Sequence, residues 1–203
     1  TEKFAILGSN FNEKATKLVK DSLDVDIIRS SIDGSYLVGV YVVGNSHGIL
    51  LPQIAERNEL EAIKKHAGST RVEIFHTDLN ALRNNILIND KIAIVNPEYS
   101  EKETATISDV LGVEVVRRCI AGYNTVGSNN ILTNKGLVLN NRVEDEEREE
   151  IEKMVGLKSE QSTANLGSLN IGLCAIANSK GVSIGDATTG FELARITNAL
   201  KLD

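Results

Sequence analysis

The sequence predicts an α/β fold in which one unit of 44 or 45 residues is used four full times and once in part, closed into a ring. Three series of markers predict it. Asn45-Ser46-His47-Gly48, Asn89-Asp90-Lys91, Asn134-Lys135-Gly136 and Asn178-Ser179-Lys180-Gly181 each follow an alternating apolar run, with their asparagines 44, 45 and 44 residues apart. Val38-Gly39, Leu82-Arg83, Val126-Gly127 and Ile171-Gly172 precede them at spacings of 44, 44 and 45. Gly68, Gly112 and Gly156 close helical patterns at intervals of 44. Three series in one phase mark a repeat architecture, because a single such unit cannot bury its helix face and its sheet face alone.

The elements follow in order. Thr1-Glu2-Lys3-Phe4-Ala5-Ile6-Leu7 aligns with Asn89-Asp90-Lys91-Ile92-Ala93-Ile94-Val95, so the chain opens at the middle turn of a unit and runs into a strand. A helix from about Glu13 to Leu23 follows, and Asp24 lies 44 residues before Gly68. Asn58 with Glu61 is the expected cap of a second helix ending at Gly68. The third unit shows the whole pattern. Ser100 and Glu103 form a capping box. Apolar residues then recur at Ala105, Ile107, Val110 and Leu111, and Gly112 supplies the positive φ that ends a helix. Val113, Val115 and Val116 begin a strand, Gly122-Tyr123-Asn124 turns the chain, and Val126 to Thr133 reads as the returning strand. Asn134-Lys135-Gly136 is a hairpin turn before the short strand Leu137-Val138-Leu139. An acidic amphipathic helix spans Asp145 to Val155, and Thr189 with Glu192 caps the last helix, to Leu200.

Head and tail together make most of a fifth unit, which favours a ring over an open solenoid with polar caps. Five units of 44 need ~220 residues, so the first strand pair, ~17 residues, is expected to be missing ahead of Thr1.

Composition narrows the function. Of 203 residues, 41% are hydrophobic and 25% charged, as in globular domains. No run of 18 apolar residues and no leader pattern occur, which points to a cytoplasmic protein without membrane contact. Cys119 and Cys174 are far apart and form no CxxC, which suits a reducing compartment. The net charge of −6 opposes broad phosphate-backbone binding and suits a basic protein partner. Trp is absent, so base-stacking platforms are not expected. His47, His66 and His76 lack metal-ligand spacing, and no phosphate-binding glycine motif occurs, so no cofactor is implied. The acidic run Glu144 to Glu150, broken by Arg148, reads as a solvated helix face.

Within this frame, Leu37-Val38-Gly39, Gly44-Asn45-Ser46-His47-Gly48-Ile49-Leu50-Leu51-Pro52, Asn80-Ala81-Leu82-Arg83-Asn84, Thr125-Val126-Gly127-Ser128, Thr133-Asn134-Lys135-Gly136 and Asp186-Ala187-Thr188-Thr189-Gly190 resemble the archaeal and eukaryotic translation initiation factor 6 family. The likeness runs through the whole chain in one order and is closest to the archaeal members, which lack the eukaryotic tail. It implies a pentein β/α-propeller, five quasi-identical ββαβ units around a pseudo-fivefold axis, in one domain. It implies a monomer that binds the large ribosomal subunit, chiefly at ribosomal protein uL14 near the sarcin–ricin loop rRNA. Such a protein blocks joining to the small subunit without catalysing a reaction, and it is linked to large-subunit maturation.

By that likeness, Leu37, Val40, Asn45, Asn84, Asp90 and Asn129 lie on or support the ribosome-facing surface, although Leu37 and Val40 also fit a core. Asn134 and Asn178 fit plain turn roles, since Asn tolerates left-handed backbone. The chain departs from the family at Arg83, where glycine is usual, and at Ser162-Thr163-Ala164-Asn165, which keeps only the Thr and Asn of a Gly-Thr-Val-Asn run. Arg83 is expected either to strain the backbone or to add charge to an rRNA-facing surface. The alternative reading is an enzyme, because amidinotransferases and arginine deiminases share the pentein fold and use a cysteine nucleophile. Cys119 follows Arg117-Arg118, while Cys174 sits in an apolar stretch read as a strand.

Overall fold

The computed structural model describes residues 1–202, which form a mixed α/β structure of five small sheets. In chain order the elements are β1 (Phe4–Gly8), α1 (Glu13–Leu23), β2 (Asp26–Ser30), α2 (Val38–Tyr41), β3 (Val43–Gly44), β4 (Gly48–Pro52), α3 (Arg57–His66) and β5 (Arg71–Phe75). There follow α4 (Leu82–Asn85), β6 (Ile86–Ile88), β7 (Ile92–Val95), α5 (Glu101–Leu111) and β8 (Glu114–Arg117). The rest are α6 (Val126–Asn129), β9 (Ile131–Leu132), β10 (Leu137–Asn140), α7 (Asp145–Val155), β11 (Ser159–Ser162), α8 (Ile171–Cys174), β12 (Ala175–Ala177), β13 (Val182–Ile184) and α9 (Gly190–Leu200).

Three sheets share one topology. A short strand pairs antiparallel with a central strand, which pairs parallel with a third across a long helix: β3-β4-β5, β6-β7-β8 and β9-β10-β11. The first sheet contains the parallel pair β1-β2 and the last the antiparallel pair β12-β13. Among the described residues the sheets stay separate and do not join into a closed barrel.

Central strands read as unbroken apolar runs because each serves two cores. Successive side chains of a strand point to opposite faces. On β4, Ile49 and Leu51 join Ile63 of α3 and Phe4 and Ile28 of the first sheet, while Leu50 joins Ile107 and Val110 of α5. On β7, Ala93 and Val95 face the α5 core while Ile92 and Ile94 face Ile151 and Val155 of α7. On β10, Leu137 and Leu139 face the α7 core while Val138 faces Ile196 and Leu200 of α9. Each long helix therefore packs between its own sheet and the one before it. The series continues at the ends, where α1 packs on β13.

Several expected boundaries hold. Ser100–Glu103 and Thr189–Glu192 form capping boxes, and Gly112 and Gly156 end their helices at φ 62° and 73°. Gly68 has φ 63°, Asp24 has φ 47°, and Lys201 takes the same left-handed geometry at φ 54° without the glycine that would mark it.

Two expectations are corrected. The cap of the second long helix is Glu56 with Glu59, not Asn58 with Glu61: Glu59 Oε2 accepts from the Glu56 N–H at 2.9 Å. Asn58 accepts only from the adjacent Glu59 N–H. The stretch from Val126 to Thr133 is not one strand. Its first four residues coil into α6, and the same helical turn recurs as α2, α4 and α8, so Cys174 ends a helix rather than lying in a strand. Gly, Ser and Asn are weak strand formers whose side chains bond back to the backbone. Here Ser128 Oγ donates to Thr125 O at 2.8 Å and Asn130 Nδ2 to Val126 O at 2.9 Å.

Candidate functional site

Two sets of side chains recur once per unit and link one unit to the next. The first lies at the hairpin turns. Asn45 Oδ1 accepts from His47 N at 3.0 Å and Gly48 N at 3.1 Å. Asn89 Oδ1 accepts likewise from Lys91 and Ile92, and Asn178 Oδ1 from Lys180 and Gly181. In the third unit this role falls to Thr133, whose Oγ1 accepts from Lys135 N at 3.2 Å and Gly136 N at 3.1 Å. Thr1 Oγ1 accepts from Lys3 and Phe4 in the same way. The equivalent residues are thus Thr1, Asn45, Asn89, Thr133 and Asn178, and the sequence register based on Asn134 is off by one.

The amide nitrogens of this set reach across to the next unit. Asn45 Nδ2 donates to Leu111 O at 2.8 Å and Asn89 O at 3.2 Å, Asn89 Nδ2 to Thr133 O, and Asn178 Nδ2 to Leu23 O at 2.9 Å. One residue further on, Ser46, Asp90, Asn134, Glu2 and Ser179 gather into a polar cluster. Ser46 N and Oγ donate to the Asp90 carboxylate at 2.8 and 2.7 Å, Asn134 Nδ2 donates to Asp90 Oδ2 at 2.7 Å, and Ser179 Oγ to Glu2 Oε1 at 2.8 Å. Burial pushes the Asp90 carboxyl up, but the bonds from Ser46 and Asn134 outweigh it and hold it below the ordinary carboxylate range.

Asn45 is 4% exposed and all its hydrogen bonds are made inside the protein, so it is a support and not a contact. Asn45→Asp is expected to cost about 2 kcal/mol in urea unfolding, because a carboxylate then faces the Leu111 and Asn89 carbonyls with no donor. A loss below a quarter of that would remove the asparagine from the framework.

The second set lies on the short helices, where α2 packs on α4, α4 on α6 and α6 on α8. Leu37, ahead of α2, is 65% exposed, and Leu173 is 48% exposed. Val40 and Asn84 are half-buried at equivalent places, and Asn84 Oδ1 has no hydrogen-bond partner. Asn129 is 2% exposed: its Oδ1 accepts from Ser128 Oγ at 2.9 Å and its Nδ2 donates to Asn170 Oδ1 at 3.0 Å. The structure therefore brings Leu37, Val40, Asn84 and Asn129 onto one set of elements and Asn45 and Asp90 onto another.

Arg83 does not strain the backbone. Its φ is not positive, and its guanidinium donates from Nη1 to Gly127 O at 2.6 Å. Glycine at 127 and 172 is required sterically. A Cβ on Gly127 would strike the Arg83 and Ile86 carbonyls, and one on Gly172 the Gly127 and Asn130 carbonyls.

Comparison with known proteins decides the lineage. The eIF-6 family model matches residues 1–199. The chain belongs to the eIF-6 family. Translation initiation factor 6 of Methanocaldococcus jannaschii is 39% identical to it, over all of this chain and 90% of that protein. The same-named proteins of Pyrococcus abyssi and Methanosarcina mazei are 37% and 38% identical, covering 100% and 98% of this chain and 91% and 90% of their own. This places the chain among the translation factors.

As an eIF-6 family member it also carries a device that sequence reading missed. The third-position glutamate of a long helix clamps the loop that leads into its unit. Glu59 accepts from Ser31 Oγ at 2.6 Å and from Asp33 N and Gly34 N, Glu147 from Ala121 N, and Glu192 from Thr163 Oγ1 and Gly167 N. The available signal was the left-handed pair Asp33-Gly34 some 26 residues before Glu59. The acidic run is thus partly structural, since Glu147 holds the loop at Ala121; beyond the run, Glu152 accepts from Ser159 N at 2.9 Å. The three histidines are exposed and both cysteines are free thiols. Among the described residues no helix is long and apolar enough to cross a membrane.

Proposed function

We propose that this chain binds the large ribosomal subunit and sterically prevents its association with the small subunit, with a further role in large-subunit biogenesis. Membership of the eIF-6 family over residues 1–199 carries this reading. A wedge of this kind needs rigidity rather than a reaction, and two-sided cores with unit-to-unit hydrogen bonds provide it.

On this reading the five sheets are the blades of a pentein propeller, one domain over residues 1–203 with its fifth unit split between the termini. The regular packing of each helix on the preceding sheet, continued by α1 on β13, supports that arrangement. The protein acts as a cytoplasmic monomer. Its main partner is the basic ribosomal protein uL14 beside the sarcin–ricin loop rRNA, a match for the net charge of −6. Leu37, Val40 and Asn84 make contact, whereas Asn45, Asp90 and Asn129 hold the framework.

Sedimentation with purified ribosomal subunits tests it. The protein should travel with the large subunit and reduce the joined-ribosome peak; neither effect at micromolar protein would discard the proposal. Asn84→Asp should weaken co-sedimentation about tenfold, the scale of a central contact. Equal binding by the variant would move the contact surface elsewhere.

A further inference from the structure

The repeat supplies its own control for an apolar patch on the last unit. Three of the loops that enter a unit are closed by paired backbone bonds, Ile32 with Ser35, Ile120 with Tyr123 and Ala164 with Ser168. Two residues lie between the partners in the first two, Asp33-Gly34 and Ala121-Gly122, and three in the last, Asn165-Leu166-Gly167. All three of these are left-handed, at φ 48°, 61° and 98°. A leucine in that region is strained and persists only where its surroundings fix it. Here Asn165 N donates to Thr188 Oγ1 at 3.1 Å and Gly167 N to Glu192 Oε1 at 2.9 Å, and Leu166 between them is 75% exposed. Phe191, just ahead of Glu192 on α9, is 71% exposed. The equivalent residues ahead of Glu59, Glu103 and Glu147 are Asn58, Lys102 and Glu146, all polar. They are exposed too, in units whose three strands are all present, so the exposure of Phe191 belongs to its place on the helix. The Arg195 guanidinium lies 4.8 Å from the Phe191 ring centre, and its Nη1 donates to Gln161 O at 3.0 Å, which turns this face of α9 toward the end of β11 that leads to Leu166.

The uncommitted charge around this pair is of one sign. β10 and β11 end together, with Asn140 opposite Ser162. β11 leads into the Leu166 loop, and β10 into Glu144, Asp145 and Glu146 at the start of α7, all exposed. Asp186, also exposed, stands in the loop that Thr188 ties to Asn165. Among the described residues Glu144, Glu146 and Asp186 have no ion-pair partner. The arginines of this end are engaged: Arg148 with Asp145, Arg142 with Tyr123 Oη, and Arg195 with Phe191 and Gln161. We infer that Leu166 and Phe191 dock a basic polypeptide segment that presents an apolar side chain. The two apolar side chains supply the anchor, and the uncommitted carboxylates supply the complementary field. A second copy of this chain would set the same carboxylates against one another, and a nucleic acid would set phosphates against them. The surface is separate from the short helices that carry Val40 and Asn84, so peptide binding here and ribosome binding there can fail independently.

The experiment titrates the intact protein with a short lysine-rich peptide bearing two leucines, and with a control peptide in which serine replaces each leucine. Backbone amide shifts locate the contact and give the affinity. The leucine peptide should move the signals of Leu166, Gly167 and Phe191 and bind at least about tenfold tighter than the control, the scale of an apolar anchor. The double variant Leu166→Asn, Phe191→Asn should lose about tenfold in affinity for the leucine peptide. Asparagine tolerates the left-handed backbone at 166 and already stands at the equivalent of 191 in Asn58, so both changes suit the fold. Equal binding of the two peptides would be attraction by charge alone and overturns the proposal. So do shifts confined to residues 144–150, or undiminished binding by the double variant. Dimerisation of the parent that the double variant abolishes would give the patch to a second copy and overturns it as well.

Discussion

Gly172→Ala lowers the melting midpoint of this protein by roughly 10 °C, and Gly190→Ala leaves it within about 2 °C of the parent, as a clash of about 3 kcal/mol and its absence require for a domain of this size. Both glycines lie in helices, where alanine ordinarily stabilises by about 1 kcal/mol. The sign therefore separates the two sites. At Gly190 nothing lies within 4 Å of the added Cβ. At Gly172 the added carbon runs into the Gly127 carbonyl and comes within 2.7 Å of the Asn130 carbonyl. These are backbone oxygens of the preceding unit, so no rotamer change relieves the contact and the units must separate. Calorimetry with both variants decides the matter. A neutral Gly172→Ala would mean that α8 and α6 do not approach as closely as this structure has them.

Glycines also show how much the sequence disclosed. Gly68, Gly112 and Gly156, 44 residues apart, announced a repeat, because periodicity survives in any residue whose backbone geometry admits few alternatives. Side-chain roles were less legible. Thr133 stands in for asparagine because either oxygen can accept from the two turn N–H groups, so a register that follows residue identity slips to Asn134. The short helices were hidden because Val126-Gly127-Ser128-Asn129 runs almost directly into strand β9 with no side-chain cap to mark a helix start, and local hydrogen bonds decide that this turn coils. Lys201 hid the last helix end, since its left-handed backbone carries no glycine. At the candidate site, exposure could not be read from type: Leu37 is mostly exposed whereas Asn129 is buried, the reverse of what polarity suggests. The hydrogen bond of Arg83 was likewise invisible, because it depends on the Gly127 carbonyl 44 residues away.

Glu192→Gln should destabilise the protein by about 3 kcal/mol at pH 7 and by much less at pH 2, the linkage expected of a carboxylate with a strongly depressed pKa. Glu192 is 6% exposed. Its carboxylate accepts from Thr163 Oγ1 at 2.7 Å and Gly167 N at 2.9 Å in the loop, and from Thr189 N at 2.8 Å and Oγ1 at 2.9 Å at its own helix cap. Burial pushes its pKa up, yet these bonds to the charged form prevail and bring it down to about 2 from an ordinary 4.5. The folded pKa is depressed, so the contribution is complete above the unfolded value and disappears as pH falls through the folded one. The window runs from about pH 5 down to about pH 2. Glu59 and Glu103 are also held low by their hydrogen bonds, and they make the parent acid-sensitive in the same direction. Their effect cancels when the variant is compared with the parent at each pH, which isolates Glu192. Urea unfolding of both proteins at pH 7, 4 and 2 gives the curve. A difference that stays constant across that range would show a cost of shape alone, and the glutamate would then hold its loop by packing rather than by charge.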